Sequence, residues 1–213
     1  MKRKHAPAFV LLGLLGACTG EAPQPPAQQA APANATPARE VSAGSDAQAR
    51  AEAAIADFGT RLRGALQARM QTDGPLGAVD FCFTQAPAIA DATMADHGVR
   101  MGRTSSRVRN RANAANDWQA QVLEGFAANV AAGQAPQAQR AVLADNLPSD
   151  VALRFMKGIR VEAPCLLCHG DPIDASLAAA LAERYPADAA IGYAEGDLRG
   201  AFWVEVPSDT GTR

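Results

Sequence analysis

The 213-residue sequence has no marked excess of either charge: 20 Lys and Arg residues stand against 22 Asp and Glu residues, for a formal net charge of −2. Nucleic-acid-binding domains usually carry a concentrated positive charge, so we expect no nucleic-acid partner. The sequence also has no internal repeat. The stretch of about 165 residues over 45–209 is long enough for one domain with its own core, and a short tail follows at 210–213.

The apolar run near the N-terminus is too short to span a bilayer. It extends from Ala8 to Ala17, follows a basic stretch, and ends in Leu-Gly-Ala before Cys18. This pattern is typical of a bacterial lipoprotein signal, although an ordinary secretory signal shares most of it. We predict a lipoprotein signal peptide over 1–17, lipidation of Cys18, and a flexible tether rich in Pro, Ala and Gln over 18–44.

The predicted signal and anchor imply a location on the periplasmic side of a bacterial membrane. Thr19 follows Cys18, whereas an Asp at that position commonly marks retention in the inner membrane. The sequence therefore favours the outer membrane, to which the lipid would tether the domain.

Cysteine and histidine are scarce, with four and three residues in the chain, yet two cysteines and a histidine lie together in Cys165-Leu-Leu-Cys168-His169. This is the C-x-x-C-H sequence to which c-type haem is attached. The two thiols add across the vinyl groups of the porphyrin, and the imidazole that follows them binds the iron from the proximal side. The motif predicts one covalently attached haem c, held by Cys165 and Cys168 with His169 as an iron ligand.

Two other interpretations of the cysteine pair remain open. Cys165 and Cys168 could join Cys82 and His97 in a zinc-binding structural domain, although a structural zinc usually takes two close pairs of ligands. They could also be a dithiol redox pair, but such a pair opens a helix after a buried strand. A proline precedes this motif and Gly-Asp-Pro follows it, so we expect a loop here.

The apolar pattern after residue 44 mixes helices and strands. Ser45-Asp46 caps a long helix that Gly74-Pro75 ends, and a second helix carries Cys82. Alternating apolar and polar residues in the later part are typical of strands. Helices at the front with antiparallel strands behind predict an α+β domain. Further helices are predicted over Pro87–Gly98, Asn116–Gly133 and Asp174–Tyr185, and strands over Val99–Met101, Val151–Phe155, Ile159–Val161 and Ala201–Val206.

Several short segments stand in a distinctive order: Phe81-Cys82, Ala86–Ala90, Gly102–Ser105, Arg107, Arg109-Asn110, Asn113, Asn116, Trp118, Cys165–Gly170 and Gly196–Ala201. With them the sequence resembles the PAS-like c-type haem family over roughly Ala51 to Val206. Members of that family occur as extracytoplasmic sensing domains of bacterial histidine kinases and as free haem proteins, including a cytochrome associated with cyanobacterial photosystem II. The resemblance implies a PAS-like antiparallel sheet, long N-terminal helices and a covalently bound haem.

The residues alone leave the sixth iron ligand open among Met94, Met101, Met156, His97 and Cys82. Met101 and Met156 suit strand core positions, His97 suits a helix end, and a lone cysteine on an apolar helix face is commonly a buried inert thiol. A Met ligand raises the haem potential, whereas a thiolate lowers it. In the family that the sequence resembles, the sixth ligand is a cysteine on an early helix, and Cys82 matches that position.

Arg100, Arg103, Arg107, Arg109 and Arg111 form a basic run that suits a solvated face. Haem carries two propionates, however, and planar guanidinium groups bind carboxylates well. Arg103 and Arg107 are therefore the candidate propionate partners.

Two functions follow from these predictions. The first is a sensor of redox state or of a diatomic gas. Because no kinase or output module accompanies the predicted domain, a sensor would need a signalling partner protein. The second is electron transfer by a tethered cytochrome c with a redox partner. No acid/base constellation accompanies the C-x-x-C-H motif, so we do not expect an enzyme.

Overall fold

The computed structural model describes the backbone of residues 38–208 and the side chains of residues 44–208. The predicted signal peptide, the lipidation site Cys18, most of the predicted tether and the predicted tail lie outside the described residues. Within residues 38–208, no helix is both long and apolar enough to cross a bilayer.

The first helix, α1 (Ala38–Thr84), begins well before the predicted cap at Ser45. Ala, Arg and Glu open this stretch directly after Pro37, and these are good helix formers. The predicted break at Gly74 is confirmed, since Gly74 has φ 67 and ψ −168 and precedes Pro75. Glycine adopts this left-handed backbone without steric cost, so α1 consists of two helical segments joined at a kink.

The later helices begin and end largely where their caps predict. Gly98 ends α2 with φ 59 and ψ 43, and its N–H donates to Met94 O. Asn116 caps α3, and the side chain of Asp174 accepts hydrogen bonds from the first turn of α5. These helices are α2 (Ala86–His97), α3 (Asp117–Ala131), α4 (Leu166–His169) and α5 (Ala175–Arg184).

Four strands form one antiparallel sheet in the order β1-β4-β3-β2. The predicted α+β class is therefore confirmed. The edge strand β2 was not predicted, because it is short. The two strands predicted around residues 151–161 are one continuous strand, β3. The strands are β1 (Arg100–Thr104), β2 (Arg140–Leu143), β3 (Val151–Arg160) and β4 (Leu198–Pro207).

Helices cover both faces of the sheet, which explains why β3 lacks a simple alternation of polar and apolar residues. Phe155 faces a core shared with α1 and α2, whereas its neighbour Met156 packs with Leu123 and Phe126 of α3, and both Phe155 and Met156 are fully buried. The predicted core positions of Met101 and Met156 are confirmed by their burial.

Two smaller apolar clusters lie beyond the main core. One joins Val79 of α1 to Leu177, Leu181 and Tyr185 of the α5 region. The other joins Val161, just after β3, to Ala190 and Tyr193. The C-x-x-C-H segment contacts both clusters, so the fold positions it from two sides.

Candidate functional site

The C-x-x-C-H segment forms a helical turn rather than the predicted loop. A short 3-10 helix, Ala163–Cys165, leads directly into α4. Pro164 stands at the start of this turn, where its fixed φ and missing N–H suit a helix. Gly170 N–H donates to Leu166 O at 2.8 Å and closes α4. The proline that suggested a loop therefore initiates a helical turn.

The turn holds its two cysteines against different clusters. Cys165 packs with Leu166 against the cluster of Val161, Ala190 and Tyr193. Cys168 packs against the cluster that contains Val79 and α5 residues. Both thiols are free and half-buried. Each sulfur is thus fixed by apolar packing while keeping some accessible surface for a reaction partner.

His169 is oriented by the chain segment 188–193. Its Nδ1 lies 2.6 Å from Ala190 O, so Nδ1 is assigned as the donor to this carbonyl. Tyr193 N–H donates to His169 O at 2.9 Å, and Gly192 N–H donates to Gly170 O at 3.1 Å. With Nδ1 committed to a carbonyl, Nε2 carries the lone pair, and a second hydrogen bond of this kind is typical of histidine metal ligands.

The surroundings keep the imidazole neutral. Burial lowers the pKa of His169 to about 3, and the positive charges of Arg199, Arg109 and Arg103 act in the same direction. The hydrogen bond to Ala190 opposes this shift only in part. A neutral imidazole is the form that binds a metal, so His169 needs no deprotonation at neutral pH.

Arg109 connects the segment 188–193 to the C-x-x-C-H turn. Its Nε lies 2.8 Å from Asp188 Oδ2 in a largely buried ion pair. Its Nη2 donates to Cys168 O and, at 3.4 Å, to Ala190 O. In the sequence, Arg109 belongs only to a basic run, and no sequence pattern points to Asp188 or to the Ala190 carbonyl.

Cys82 lies on the second segment of α1, half-buried at the edge of the main core. Burial raises the pKa of its thiol, while Arg103 and Arg109 lower it in part. A negative charge on Cys82 would also raise the pKa of Cys168. The two sulfurs and the two arginines therefore share one electrostatic environment.

The other candidates for a sixth ligand have different surroundings. Met101 and Met156 are core residues, and Met94 packs against the same core as Met101. His97 Nε2 lies 3.0 Å from Asp57 Oδ2, where it links α2 to α1. Within the described residues, no group of three or more His, Cys, Asp or Glu side chains could hold a metal ion, so the four side chains of the zinc interpretation are not assembled.

The two predicted propionate partners differ in their contacts. Arg103 makes no hydrogen bond or ion pair within the part of the chain that the structure describes, and its Cζ lies 5.7 Å from the Phe58 ring centroid. Arg107 stacks on Tyr193 with Cζ 3.6 Å from the ring centroid, and its Nη1 donates to Ile191 O at 3.0 Å. Of these two guanidinium groups, that of Arg103 has no hydrogen-bond or ion-pair partner among the described residues, whereas that of Arg107 contacts Tyr193 and Ile191.

These residues fit a haem. The described residues offer a neutral imidazole with a free Nε2, two half-buried thiols on the same turn, a third sulfur in the same environment, and, in Arg103, a half-buried guanidinium without an acid partner among them. An α+β domain with a PAS-like antiparallel sheet and this donor set has the character of a haem-binding domain.

Comparison with known proteins identifies the family. The model of the Tll0287-like family matches residues 30–207, and the chain belongs to this family. A solved structure, the crystal structure of the cyanobacterial heme-protein Tll0287, shows 26% sequence identity. That similarity covers 60% of this chain and 72% of the other chain, with a TM-score of 0.48. No curated protein matches. The resemblance found in the sequence is therefore confirmed, and the roles of individual site residues stay predictions.

Proposed function

We propose that this protein is a c-type haem protein in which Cys165 and Cys168 hold one haem c covalently and His169 binds its iron. The observation that carries the proposal is the hydrogen bond from His169 Nδ1 to Ala190 O. This bond leaves Nε2 of a half-buried, neutral imidazole available, on the same turn as two free thiols. A haem bound in this way supplies a one-electron redox centre.

Cys82 is the proposed sixth ligand. Thiolate is the form that binds a metal, and Arg103 and Arg109 both favour that form electrostatically. Burial opposes it, so Cys82 without a metal partner holds a proton at neutral pH. A Cys82 side chain that takes up this proton would be a poorer metal ligand, since the thiolate is the form that binds.

This behaviour of Cys82 supports a sensor of redox state or of a diatomic gas. A sensor needs a ligand that can be lost, and a half-buried thiol whose pKa is raised by burial suits such a role. We propose a signalling partner protein to receive the response. The proposal includes no enzymatic activity and no nucleic-acid partner.

Electron transfer by a tethered cytochrome is the second candidate, and one observation favours it. Leu167, between the two cysteines, is 43% exposed, and Ile191, beside Ala190, is 48% exposed. Exposed apolar residues beside a cofactor suit transient contact with a redox partner.

The proposed location is the periplasmic side of a bacterial membrane, with the outer membrane favoured. Lipidation of Cys18, which lies outside the described residues, would tether the domain there. Expression with the Cys18→Ser change should release the protein from the membrane into the soluble fraction. An unmodified Cys18 in the intact mass of the wild-type protein would contradict this part of the proposal.

Acid-acetone extraction tests the central part. The full chain, produced with a cytochrome c maturation system, should keep its haem on the polypeptide after extraction. Loss of the haem, or purification with stoichiometric zinc instead, would overturn the proposal. Absorption spectra of oxidised and reduced protein, with and without carbon monoxide, then separate the two candidates: prompt binding of carbon monoxide to the reduced protein favours the sensor, and its absence favours the electron carrier.

A further inference from the structure

The arginines of the described residues fall into two groups, those that form an ion pair with an acidic side chain and those that do not. Seven of them form ion pairs with Asp or Glu side chains, and these are Arg61, Arg69, Arg100, Arg109, Arg140, Arg154 and Arg184. Within the described residues, Arg103 and Arg199 have no carboxylate partner. They differ from the other arginines without acid partners because burial lowers the pKa of both.

Arg103 is directed to the same side of the sheet as the main core. It pairs with Phe202 across β1 and β4, and it shares a strand face with Met101, two residues away. Met101 is part of the core that includes α1, and Phe58 of α1 lies beneath the Arg103 guanidinium. Its charge acts on both Cys82 and His169. Arg103 therefore lies near enough to both proposed iron ligands to act on them electrostatically.

Arg199 is placed by an irregularity in β4. Ile159 pairs with Gly200, while the next residue, Arg160, pairs with Leu198. Arg199 is thus an additional residue without a partner on β3, and bulges of this kind redirect a side chain.

The neighbour of Arg199 explains how the chain tolerates this geometry. Gly200 has φ +148, and a Cβ at this position would lie 2.2 Å from Thr104 O. Only glycine permits so close an approach of β4 to β1. Ser105 Oγ then donates to Arg199 O at 2.7 Å and fixes the bulge. The bulge therefore places Arg199 outside the regular pairing of β4 with β3.

Among the described residues, the side chain of Arg199 contacts Tyr193 and a main-chain oxygen but no acid, and its Cζ lies 5.1 Å from the Tyr193 ring centroid. Its Nη1 lies 3.5 Å from Tyr193 Oη and 3.3 Å from Arg107 O. These are long for hydrogen bonds of a charged donor. The charges of Arg109 and Arg103 repel it, and its own charge acts on His169.

The positive charge around His169 is therefore only partly balanced by the chain. Asp188 balances Arg109, but Arg103 and Arg199 remain without an acid. A charge that loses contact with water is costly unless it is paired, and burial acts on both guanidinium groups, so each is suited to bind a carboxylate. Of the three arginines whose charge acts on His169, Arg103 and Arg199 are thus the two without an acid among the described residues, and a haem carries two propionates.

We propose that Arg103 and Arg199 bind the two propionate carboxylates of the haem. The inference rests on the proposed function and replaces one predicted partner, Arg107, by Arg199. Arg107 instead holds Tyr193 and Ile191, and so supports the segment that orients His169.

Isotope-edited infrared spectroscopy of the full haem-loaded protein tests this inference. Growth on carboxyl-labelled aminolevulinic acid places the label in the propionates and not in Asp or Glu. In the wild-type protein, the labelled groups should absorb as carboxylates throughout the mildly acidic range. In Arg103→Gln and Arg199→Gln, one labelled group in each should gain the C=O band of a protonated acid, because it has lost its cation. The double variant should show both.

The exposed Arg111 offers a matched control, since Arg111→Gln removes a charge from the same basic run. Arg107→Gln is the second control. Both should leave the labelled bands unchanged. If Arg199→Gln does not fold, Arg199→Lys should shift the labelled carboxylate band, because an ammonium group cannot bind both oxygens of a carboxylate. The inference is overturned if the Arg103 and Arg199 variants match the Arg111 control, or if Arg107→Gln alone frees a labelled group.

The two proposals fail in different ways in this experiment. A wild-type protein without covalent labelled haem overturns the proposed function, and the propionate assignment with it. A wild-type protein that carries the labelled haem, with bands unaffected by changes at Arg103 and Arg199, overturns the propionate assignment alone.

Discussion

The main core and the candidate site use burial differently. Ala51, Phe155 and Val204 of the core have no accessible surface, and their neighbours fill the space around them. Cys82 and His169 keep accessible surface, yet desolvation is the largest influence on the pKa of both. A group that loses solvation in this way but keeps accessible surface suits the lining of a ligand site. The side chains of the core are packed by other side chains of the protein, whereas we expect a bound group to supply the remaining contacts of the site residues.

The largest effect is expected when the covalent attachment of the haem is removed. The Cys165→Ala, Cys168→Ala double variant should carry no covalent haem, because both thioether bonds are lost. The measurement is the haem content of the chain after acid-acetone extraction. Cys82→Ala is the matched control and should retain full attachment; loss of attachment in that control would mean that Cys82, and not the close pair, forms a bond to the porphyrin.

A second change keeps the haem but alters its iron. Cys82→Ala should abolish the thiolate-type spectrum of the oxidised protein and raise the midpoint potential, since an anionic donor is lost. Axial ligands move haem potentials over about 0.8 V, so the rise should be a sizeable part of that range. Spectropotentiometry measures it, with Met94→Leu as control. If Met94→Leu changes spectrum and potential while Cys82→Ala does not, Cys82 is not the ligand.

A third change acts on the core alone. Phe155→Ala should lower the free energy of unfolding by about 3–5 kcal/mol, because it leaves a cavity among fully buried side chains, without changing the haem spectrum of the folded protein. Val142→Ala on the exposed edge strand is the control and should change stability by less than about 0.5 kcal/mol. Denaturant unfolding followed by circular dichroism gives both values. Similar losses in the two variants would contradict the division between core and surface.

Arg109 connects the two regions, and its removal should affect both. Arg109→Ala leaves Asp188 as a largely buried carboxylate without its partner, and breaking such a pair costs about 3–5 kcal/mol. The half-exposed pair of Arg184 and Asp80 is the control, since Arg184→Ala should cost no more than about 1 kcal/mol. The additional readout is the spectrum of the haem, which should change in Arg109→Ala only. An unchanged spectrum would restrict Arg109 to a structural role.

The smallest effect is expected at Asp57 on α1. Its hydrogen bond with His97 lowers the pKa of this carboxyl below the ordinary value of 3.8. A lowered pKa in the folded state adds stability above the unfolded pKa, and that stability is lost as the pH falls through the folded value. Asp57→Asn should therefore reduce the acid dependence of unfolding below about pH 4. Acid titrations of the wild-type and Asp57→Asn proteins that coincide would contradict the assignment.

Local signals in the sequence predicted much of the fold. Gly98, Asn116 and Asp174 mark helix ends because capping depends on the residue itself and its nearest neighbours. The edge strand β2 and the continuity of β3 escaped prediction, because the first is short and the second is covered on both faces. Such features depend on what packs against a strand rather than on its own pattern.

Some features of the site likewise follow from a local sequence signal, and others depend on the fold. The C-x-x-C-H motif is a contiguous signal and was found at once. The role proposed for Arg199 depends on a bulge that exists only when β4 pairs with β3. The partner of His169 is the carbonyl of Ala190, and a main-chain atom has no signature in a sequence.

That carbonyl has a consequence for how the site tolerates mutation. No single base change in the codon for Ala190 can remove the acceptor of His169, since every amino acid supplies the same main-chain oxygen. Selection on this contact therefore acts on the path of the chain rather than on the identity of residue 190. Substitutions of Arg109 or Asp188 can disturb the contact, because the side chains of these two residues fix the position of the segment that carries the Ala190 carbonyl. Inactivating substitutions are thus expected at positions outside the C-x-x-C-H motif.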